Sequence, residues 1–247
     1  MEGAVIMTHS YFITGTDTEV GKTLVTAAIV YKLNQSKHGS ASAFKPLVAG
    51  TYMDQVGQLR NEDIETYVIA GGNKIPRELL CPYVLEFPAA PHLVAKEKGV
   101  KLDPQEMLKG FQRIQQAVDY VIVEGAGGFL TPINETQDLS DFCKLIDLPL
   151  ILSVGIRLGC LNHTLLTVEA IEKKGLKLAG WVANCISHEM PYRDENINAL
   201  RDRITAPLLG VIEPLPKSLQ KAVNAPYSLE AIKFAADSIA LPNEEFD

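Results

Sequence analysis

The sequence predicts one doubly wound α/β domain, in which a mostly parallel sheet is covered by helices on both faces. Three observations lead to this prediction. The strand-like runs are apolar throughout instead of alternating, which is typical of strands buried on both faces. Helix-like segments of about 10–15 residues separate these runs. The chain has 247 residues, of which 47% are hydrophobic and 21% charged, as in a soluble globular domain.

Each predicted strand is a short run of apolar residues bounded by turn formers, glycine or a polar residue. The predicted strands are "YFIT" at 11–14, "SAFKPLVA" at 42–49, "YVIVE" at 120–124, "LPLILSVG" at 148–155, "LKLAGWVAN" at 176–184 and "LLGVI" at 208–212. Because ligands of open α/β sheets bind beyond the carboxyl ends of the strands, chemistry is expected at those ends.

The helices are predicted from apolar residues at helical spacing and from capping residues. Asp103 is an N-cap candidate, Pro104 suits the first helical position, and Glu106 completes a capping box. Ser228 caps the last helix. The predicted helices span 22–35, about 104–117, 162–174, about 191–203 and 229 to about 240. Residues 50–62 and 71–90 are expected to be loops or short elements.

Charge and cysteine usage narrow the functional classes. The net charge of −7 argues against a nucleic-acid partner. The four cysteines have neither C-x-x-C nor zinc spacing, which predicts reduced, mostly buried thiols. There is no signal-peptide pattern and no window of ~20 apolar residues, so a cytoplasmic protein without a membrane span is expected. Residues 1–9 are expected to be flexible.

The segment "ITGTDTEVGKT" ends like a phosphate-binding loop but is one residue longer than the usual pattern G-x-x-x-x-G-K-[ST] between Gly15 and Gly21. Thr16 stands where the first glycine is expected. The loop follows an apolar strand and opens a helix, and this context predicts a P-loop. Lys22 would then reach the β- and γ-phosphates, and Thr23 would bind Mg²⁺. A plain turn with a solvated lysine is the alternative.

Five further polar residues are considered as site candidates. Glu124 ends a strand and enters the glycine-rich "EGAGG", so it is a metal-ligand candidate, with a helix cap or loop acid as the alternative. Asp63 is a weaker candidate by position. Lys45, inside an apolar run, either holds an anionic reacting group or extends to water from a strand end. Asn184 either contacts an adenine edge or forms a turn. His92 is interpreted as a packing or surface residue and not as a ligand.

The sequence resembles the dethiobiotin synthetase family, ATP-dependent ligases that act before the last step of biotin synthesis. The resemblance runs from about Tyr11 to Leu215, in order and at matching spacing, and the last 30 or so residues match little. Its blocks are "YFITGTDTEVGKT", "FKPL", "LRNED", "VEGAGGFLTPI", "VGIRLGCLNH", "LAGWVAN" and "APLLGVI". The long P-loop is this family's own form.

The resemblance implies a P-loop NTPase-like fold and a homodimer with its site at the subunit interface. The implied substrates are 7,8-diaminononanoate (7,8-diaminopelargonate), CO2 and ATP, with Mg²⁺ as cofactor. CO2 carbamylates one amine, the carbamate attacks the γ-phosphate to give a carbamic–phosphoric anhydride, and the second amine closes the ureido ring. Catalysis of such phosphoryl transfer is mainly positioning and charge stabilisation.

The resemblance also implies roles for individual residues. Lys45 becomes the expected catalytic lysine and flanks the transferring group together with Lys22. The implied metal ligands are Thr23, Asp63 and Glu124. The implied ATP-binding residues are Glu19, Val20, Gly21, Lys22, Thr23, Leu24, Asp63, Glu124, Gly125, Ala126, Gly127, Asn184, Cys185, Glu213, Pro214 and Leu215. The implied substrate-binding residues are Thr18, Lys45, Ala49, Leu161 and Asn162, the last two from the partner subunit.

Three positions depart from the family pattern. Ala49 stands where the family usually has a serine or threonine hydroxyl near the carbamate. Thr51 is a possible substitute, but it lies two residues further along the strand end. Glu213 replaces a proline before the adenine-contacting stretch. In the family an aromatic residue helps to hold the substrate tail. Asn196 stands at that position here, and Tyr192 is one helical turn away. The Ala49 change bears on the catalytic rate, not on ATP binding.

Two other classes compete with the ligase. A cobyrinate-type amidase ligase often carries an early loop lysine, but Thr16 and Asp17 stand there. It would also need a glutaminase domain, and none is expected in the residues after 215. A related dimeric P-loop ATPase switch without ligase activity is the main alternative. Lys45 and the "GCLNH" block argue against a switch, which would hydrolyse ATP without diamine or CO2.

Overall fold

The computed structural model describes residues 10–36, 39–187 and 189–242, so residues 1–9, for which flexibility is expected, lie outside it. The strands are numbered along the chain. They are β1 (Tyr11–Gly15), β2 (Ala41–Phe44), β3 (Leu47–Ala49), β4 (Tyr52–Met53), β5 (Leu59–Arg60), β6 (Tyr83–Leu85), β7 (Tyr120–Glu124), β8 (Leu150–Gly155), β9 (Leu178–Asn184) and β10 (Leu208–Ile212).

The helices are numbered in the same way. They are α1 (Lys22–Gln35), α2 (Glu62–Ala70), α3 (Arg77–Leu80), α4 (Pro91–Glu97), α5 (Pro104–Gln115), α6 (Leu139–Ile146), α7 (Cys160–Lys173), α8 (Arg193–Arg201) and α9 (Leu229–Ala236). A short 3₁₀ helix spans Lys217–Leu219. Among the described helices, none is long and apolar enough to cross a membrane.

The central sheet has six strands in the spatial order β10-β9-β8-β1-β7-β2, and every pair in it is parallel. All residues of β1, β2 and β8 are buried, which confirms the prediction drawn from their continuous apolar runs. Because the strands are parallel, the carboxyl ends of β1, β7 and β9 meet at one edge, and this edge carries the candidate site.

Helices cover both faces of the sheet. Along β8, Ile151 packs in the larger core with α1, α5 and α9, whereas Leu152 packs in a second core with α7 and α8. The neighbouring strand β9 divides in the same way, with Val182 in the first core and Trp181 in the second. Successive side chains of a strand point to opposite faces, so the two cores lie on opposite sides of the sheet, as predicted for a doubly wound fold.

The predicted strand 42–49 is wrong in one respect, because it is two strands. β2 lies in the central sheet and ends before Lys45, whereas β3 begins after Pro46 and pairs with β6 in a separate two-stranded sheet. Proline lacks the N–H needed to continue a ladder, and the Lys45 N–H instead donates to the carbonyl of Leu80 at 2.8 Å. The break turns Lys45 out of the sheet and toward its carboxyl edge.

The four-residue α3 is a short element of the kind expected in 71–90, but three other helices were not predicted: α2, α4 and α6. Capping residues for α2 and α6 are present in the sequence, and Pro91 suits the first position of α4. Asn61 caps α2 by accepting the N–H groups of Asp63 and Ile64, and Asp138 forms a capping box with Asp141 at α6. These helices are short, with 9, 7 and 8 residues, so their apolar periodicity is weak evidence beside the surrounding turn formers.

Candidate active site

The loop between β1 and α1 begins after Gly15 and ends at Gly21, the N-cap of α1. Gly21 has φ 83° and ψ 21°, a left-handed conformation that favours glycine. A Cβ at this position would lie 1.8 Å from Nδ2 of Asn184, so there is also no room for a side chain. The backbone N–H groups at the start of α1 form the kind of N-terminus that binds phosphate.

Side chains from neighbouring strand ends support this loop. The Val20 carbonyl accepts hydrogen bonds from Ser153 Oγ of β8 at 2.8 Å and from Asn184 Nδ2 of β9 at 3.1 Å. The Asp17 carboxylate pairs with the Arg157 guanidinium, just after β8. The side-chain amide of Asn184 therefore supports the phosphate loop, a contact that the sequence did not indicate.

Lys22 is the first residue of α1 and is only 6% exposed. Its ammonium donates to the backbone carbonyl of Asp17 at 2.8 Å. Burial, reinforced by the nearby Lys45, lowers the pKa of Lys22 to about 8, although Glu124 and Asp63 act in the opposite direction. A buried cation whose pKa is lowered by desolvation gains from contact with an anion, and a phosphate group is such a partner.

Thr23, Asp63 and Glu124 converge although they are distant in sequence. Thr23 Oγ1 lies 2.7 Å from Asp63 Oδ1 and 3.2 Å from Glu124 Oε1. Asp63 is in the first turn of α2, and Glu124 ends β7 with no exposed surface. The Tyr67 hydroxyl donates to the second carboxylate oxygen of Glu124. The fold thus gathers one hydroxyl and two carboxylates beside the phosphate loop.

Lys45 lies between the two carboxylates and is only 4% exposed. Its ammonium donates to Asp63 Oδ2 at 2.5 Å and to Glu124 Oε1 at 2.7 Å. Burial alone would lower the pKa of Lys45, but the charges of Asp63 and Glu124 outweigh it and raise this pKa above its ordinary value. For Asp63, burial favours the neutral acid, and Lys45 overcomes this and lowers the pKa. Lys45 is therefore held as a cation.

A cavity of about 820 Å³ opens over these groups. Most of the predicted site residues line it, so residues from five separate segments of the chain share one space. Those lining residues are Thr18, Glu19, Gly21, Lys22, Thr23, Lys45, Ala49, Asp63, Glu124, Ala126, Gly127 and Asn184. Thr51 is not among the lining residues, and its hydroxyl lies 3.4 Å from the Glu86 carbonyl. It therefore does not replace the hydroxyl that Ala49 lacks.

The other predicted residues are not among those that line this cavity. Leu161 and Asn162 lie in the first turn of α7, where an implied partner subunit would present them. Glu213 follows β10 and pairs with Arg193 at 2.6 Å. Those not lining the cavity are Val20, Leu24, Gly125, Cys185, Glu213, Pro214, Leu215, Leu161 and Asn162. Their nucleotide or substrate contacts stay predictions.

All four cysteines are free and buried, as expected.

Some lining residues were not singled out from the sequence. They are Val48, Glu62, Pro88, Ala89, Ala90, Pro91, Gly128, Thr131, Ile186, Lys221 and Tyr227. Gly128 belongs to the glycine-rich run after Glu124 and could have been found there. Lys221 and Tyr227 come from the C-terminal region, where the resemblance ends and no local motif marks them.

The chemistry of the gathered donors fits a hard divalent cation. Mg²⁺ prefers oxygen ligands and is commonly held by one or two carboxylates together with phosphate oxygens. Thr23, Asp63 and Glu124 supply such oxygens next to a phosphate-binding loop. The ammonium of Lys45 already bridges both carboxylates, which shows that this position is electrostatically suited to positive charge.

The parallel sheet, the loop that opens α1 and the lysine and threonine behind Gly21 define a P-loop NTPase fold. The chain belongs to the AAA_26 family (AAA domain), whose sequence model matches residues 9–222. This family includes dethiobiotin synthetase.

Solved structures with the same fold agree with this class. MinD from Aquifex aeolicus is 17% identical, with a TM-score of 0.54 over 93% of this chain and 95% of that one. Pyrococcus horikoshii MinD, complexed with Mg-ADP, is 17% identical, with a TM-score of 0.52 over 92% and 95%. A ParA family ATPase from Chlorobium tepidum is 13% identical, with a TM-score of 0.52 over 86% and 87%. At these identities the likeness concerns the fold alone.

Proposed function

We propose that the protein is an ATP- and Mg²⁺-dependent ligase that converts 7,8-diaminononanoate and CO2 to dethiobiotin, ADP and phosphate. The observation that carries the proposal is Lys45, a buried ammonium held between Asp63 and Glu124 within the P-loop cavity. A nucleotide switch needs the loop lysine and the metal ligands. A reaction between two anions needs a further cation at their meeting point, and Lys45 supplies it.

The proposed reaction has three balanced steps. One amine of the substrate forms a bond to the carbon of CO2 and loses a proton, which gives a carbamate. A carbamate oxygen then attacks the γ-phosphorus of ATP, and the bond to the bridging oxygen breaks to release ADP. The second amine attacks the carbonyl of the resulting anhydride, loses a proton and expels phosphate as the ring closes.

The residues of the site suit the charge demands of these steps. Lys22 and the backbone N–H groups at the start of α1 bind the triphosphate. Lys45 balances the carbamate and the transferring phosphoryl group, whose equatorial oxygens carry the charge. Thr23, Asp63 and Glu124 would hold Mg²⁺, which neutralises phosphate charge when bound. Burial of these groups strengthens every such contact.

The diamine is proposed to lie beside Thr18 and Glu19, in the lengthened front of the loop, with Ala49 facing its reacting end. The carboxylate tail would reach Leu161 and Asn162 of a second copy in a homodimer. The adenine would lie near Asn184 and the stretch from Glu213 to Leu215. Pyrococcus horikoshii MinD is described with Mg-ADP on the same fold, which supports the assignment of the nucleotide and the metal.

Phosphate release tests the proposal against the switch. The ligase should release phosphate from MgATP only when both 7,8-diaminononanoate and bicarbonate are present. Omission of either substrate should reduce the rate to background, and Lys45→Ala should do the same in the complete mixture. Steady ATP hydrolysis without diamine and bicarbonate, unchanged on adding them, would favour the ATPase switch.

A further inference from the structure

The chain between β10 and α9 passes along the wall of the cavity. Apart from the 3₁₀ helix Lys217–Leu219, residues 213–228 form no regular element. Tyr227 fastens this segment to α2, because its backbone N–H donates to Thr66 Oγ1 at 3.1 Å. Lys221 and Tyr227 both line the cavity. The segment therefore brings a cation to the cavity from residues beyond Leu215, where the family resemblance ends and implies no role.

The Lys221 side chain is oriented by two contacts. Its ammonium donates to Glu62 Oε2 at 2.6 Å and lies 5.7 Å from the centre of the Tyr227 ring. Glu62 opens α2 and directly precedes the proposed metal ligand Asp63. Lys221 is thus held at the wall of the cavity that contains the proposed phosphate and metal site, by an acid to which no other role is assigned.

The three lysines that line the cavity differ in their freedom to move. Lys45 is enclosed between two carboxylates, and Lys22 is buried against its own loop. The side chain of Lys221 is 26% exposed, and that of its partner Glu62 is 37% exposed. Ion pairs that remain in contact with water contribute little to stability, whereas a phosphate offers a charged acceptor with several oxygens. An entering triphosphate can therefore compete with Glu62 for this ammonium.

We propose that Lys221 is a phosphate-binding residue of the nucleotide site, which exchanges the carboxylate of Glu62 for a phosphate oxygen when the nucleotide binds. The ring of Tyr227 guides the lysine stem during this exchange. This inference rests on the proposed binding of ATP, but not on the identity of the second substrate.

Binding of ATP and ADP, measured by calorimetry in the presence of Mg²⁺, tests this role. Lys221→Met keeps the stem and removes the charge, and we expect its Kd for ATP to rise by about tenfold, which corresponds to ~1.4 kcal/mol. Lys217→Met is the matched control, since Lys217 is an exposed lysine of the same segment that is not among the cavity-lining residues. It should bind ATP like the wild type.

Glu62→Gln separates direct phosphate binding from simple neutralisation of Glu62. If Lys221 binds phosphate, Glu62→Gln should bind ATP at least as tightly as the wild type, and the double variant should be as weak as Lys221→Met. Recovery of wild-type affinity in the double variant would overturn the proposal, because Lys221 would then only mask Glu62. Unchanged affinity in Lys221→Met would overturn it as well, whatever its melting temperature.

The test of Lys221 can fail or succeed independently of the test of the proposed ligase activity. A wild type that binds ATP but makes no dethiobiotin contradicts the ligase, while the comparison of Lys221 and Lys217 variants still decides the role of Lys221. A wild type that binds neither ATP nor ADP contradicts both.

Discussion

Lys45 forms ion pairs with both acidic side chains of the proposed metal site. It is buried, remains cationic and contacts both acids that are proposed to hold the metal. Breaking a buried ion pair by removing one partner leaves uncompensated charge in a poorly solvated place. Removal of Lys45 should therefore affect both the stability of the fold and the proposed catalysis, and these two effects can be measured separately.

Lys45→Ala should abolish dethiobiotin formation and leave nucleotide binding measurable. Without its ammonium, Asp63 and Glu124 face each other, so we expect the free energy of unfolding to fall by about 3 kcal/mol. Mg²⁺ should restore part of this loss, because it supplies positive charge to the same carboxylates. Thermal melts with and without Mg²⁺ measure stability, and a turnover assay measures catalysis. Unchanged turnover would contradict the carbamate role.

Ala49 lines the cavity at the position where the resembled family usually places a hydroxyl. Ala49→Ser should keep or raise the rate of ring closure, because the added hydroxyl can donate to the carbamate without a large change in volume. Steady-state kinetics should show the change in kcat, with the ATP KM nearly constant. A collapse of the rate would show that the alanine is required by this site.

At the scale of elements, the junction of β1, its loop and α1 depends on contacts from two neighbouring strands. Ser153 of β8 and Asn184 of β9 both hold the Val20 carbonyl, and Gly21 lies directly against Asn184. The loop is therefore shaped by the sheet edge as well as by its own sequence. This explains how a loop one residue longer than usual still presents a helix N-terminus to the cavity.

Gly21→Ala should impair nucleotide binding more than any other single methyl group added to this loop. The new Cβ would overlap the Asn184 amide, and alanine disfavours φ 83°. Asn184→Ala in the same chain should relieve the overlap but not the backbone strain, so recovery should be partial. Calorimetric ATP affinity and melting temperature of the single and double variants measure this. Wild-type affinity of Gly21→Ala would contradict the described loop geometry.

At the scale of the whole molecule, parallel topology assembles the site. β1, β7 and β9 contribute residues about 60 to 170 positions apart in the sequence, and they meet because parallel strands end at one edge. The loop before α7 exposes Leu158, which has 96% of its surface accessible. It lies beside Leu161 and Asn162, which are proposed to serve a second subunit. Because those two residues are proposed to meet a second subunit, we place Leu158 in the same proposed contact.

Leu158→Asp should therefore weaken the proposed homodimer. A charge placed in an apolar contact is costly to bury, so sedimentation velocity should show a shift toward monomer at micromolar concentration. The variant should bind ATP nearly as well as the wild type but should show a raised KM for 7,8-diaminononanoate. Leu93→Asp, at another exposed leucine, is the matched control. A dimer that is unaffected by Leu158→Asp would contradict this placement of the interface.

The sequence predicted the parts of the molecule that depend on local pattern. The central strands and α1 follow from apolar runs and from the loop motif, and Glu124 was found because it ends a strand. The division of 42–49 into two strands was missed, since pairing of β3 with β6 depends on a distant segment. Lys221 and Tyr227 were missed for the same reason, because only the packing of the C-terminal segment against α2 brings them to the cavity.

The most direct test of the central claim is incubation of the protein with 7,8-diaminononanoate, ¹³C-labelled bicarbonate and MgATP, followed by mass spectrometry. The proposed chemistry predicts dethiobiotin that carries the label in its ureido carbon, formed together with equal amounts of ADP and phosphate. ATP hydrolysis without any labelled dethiobiotin would contradict it.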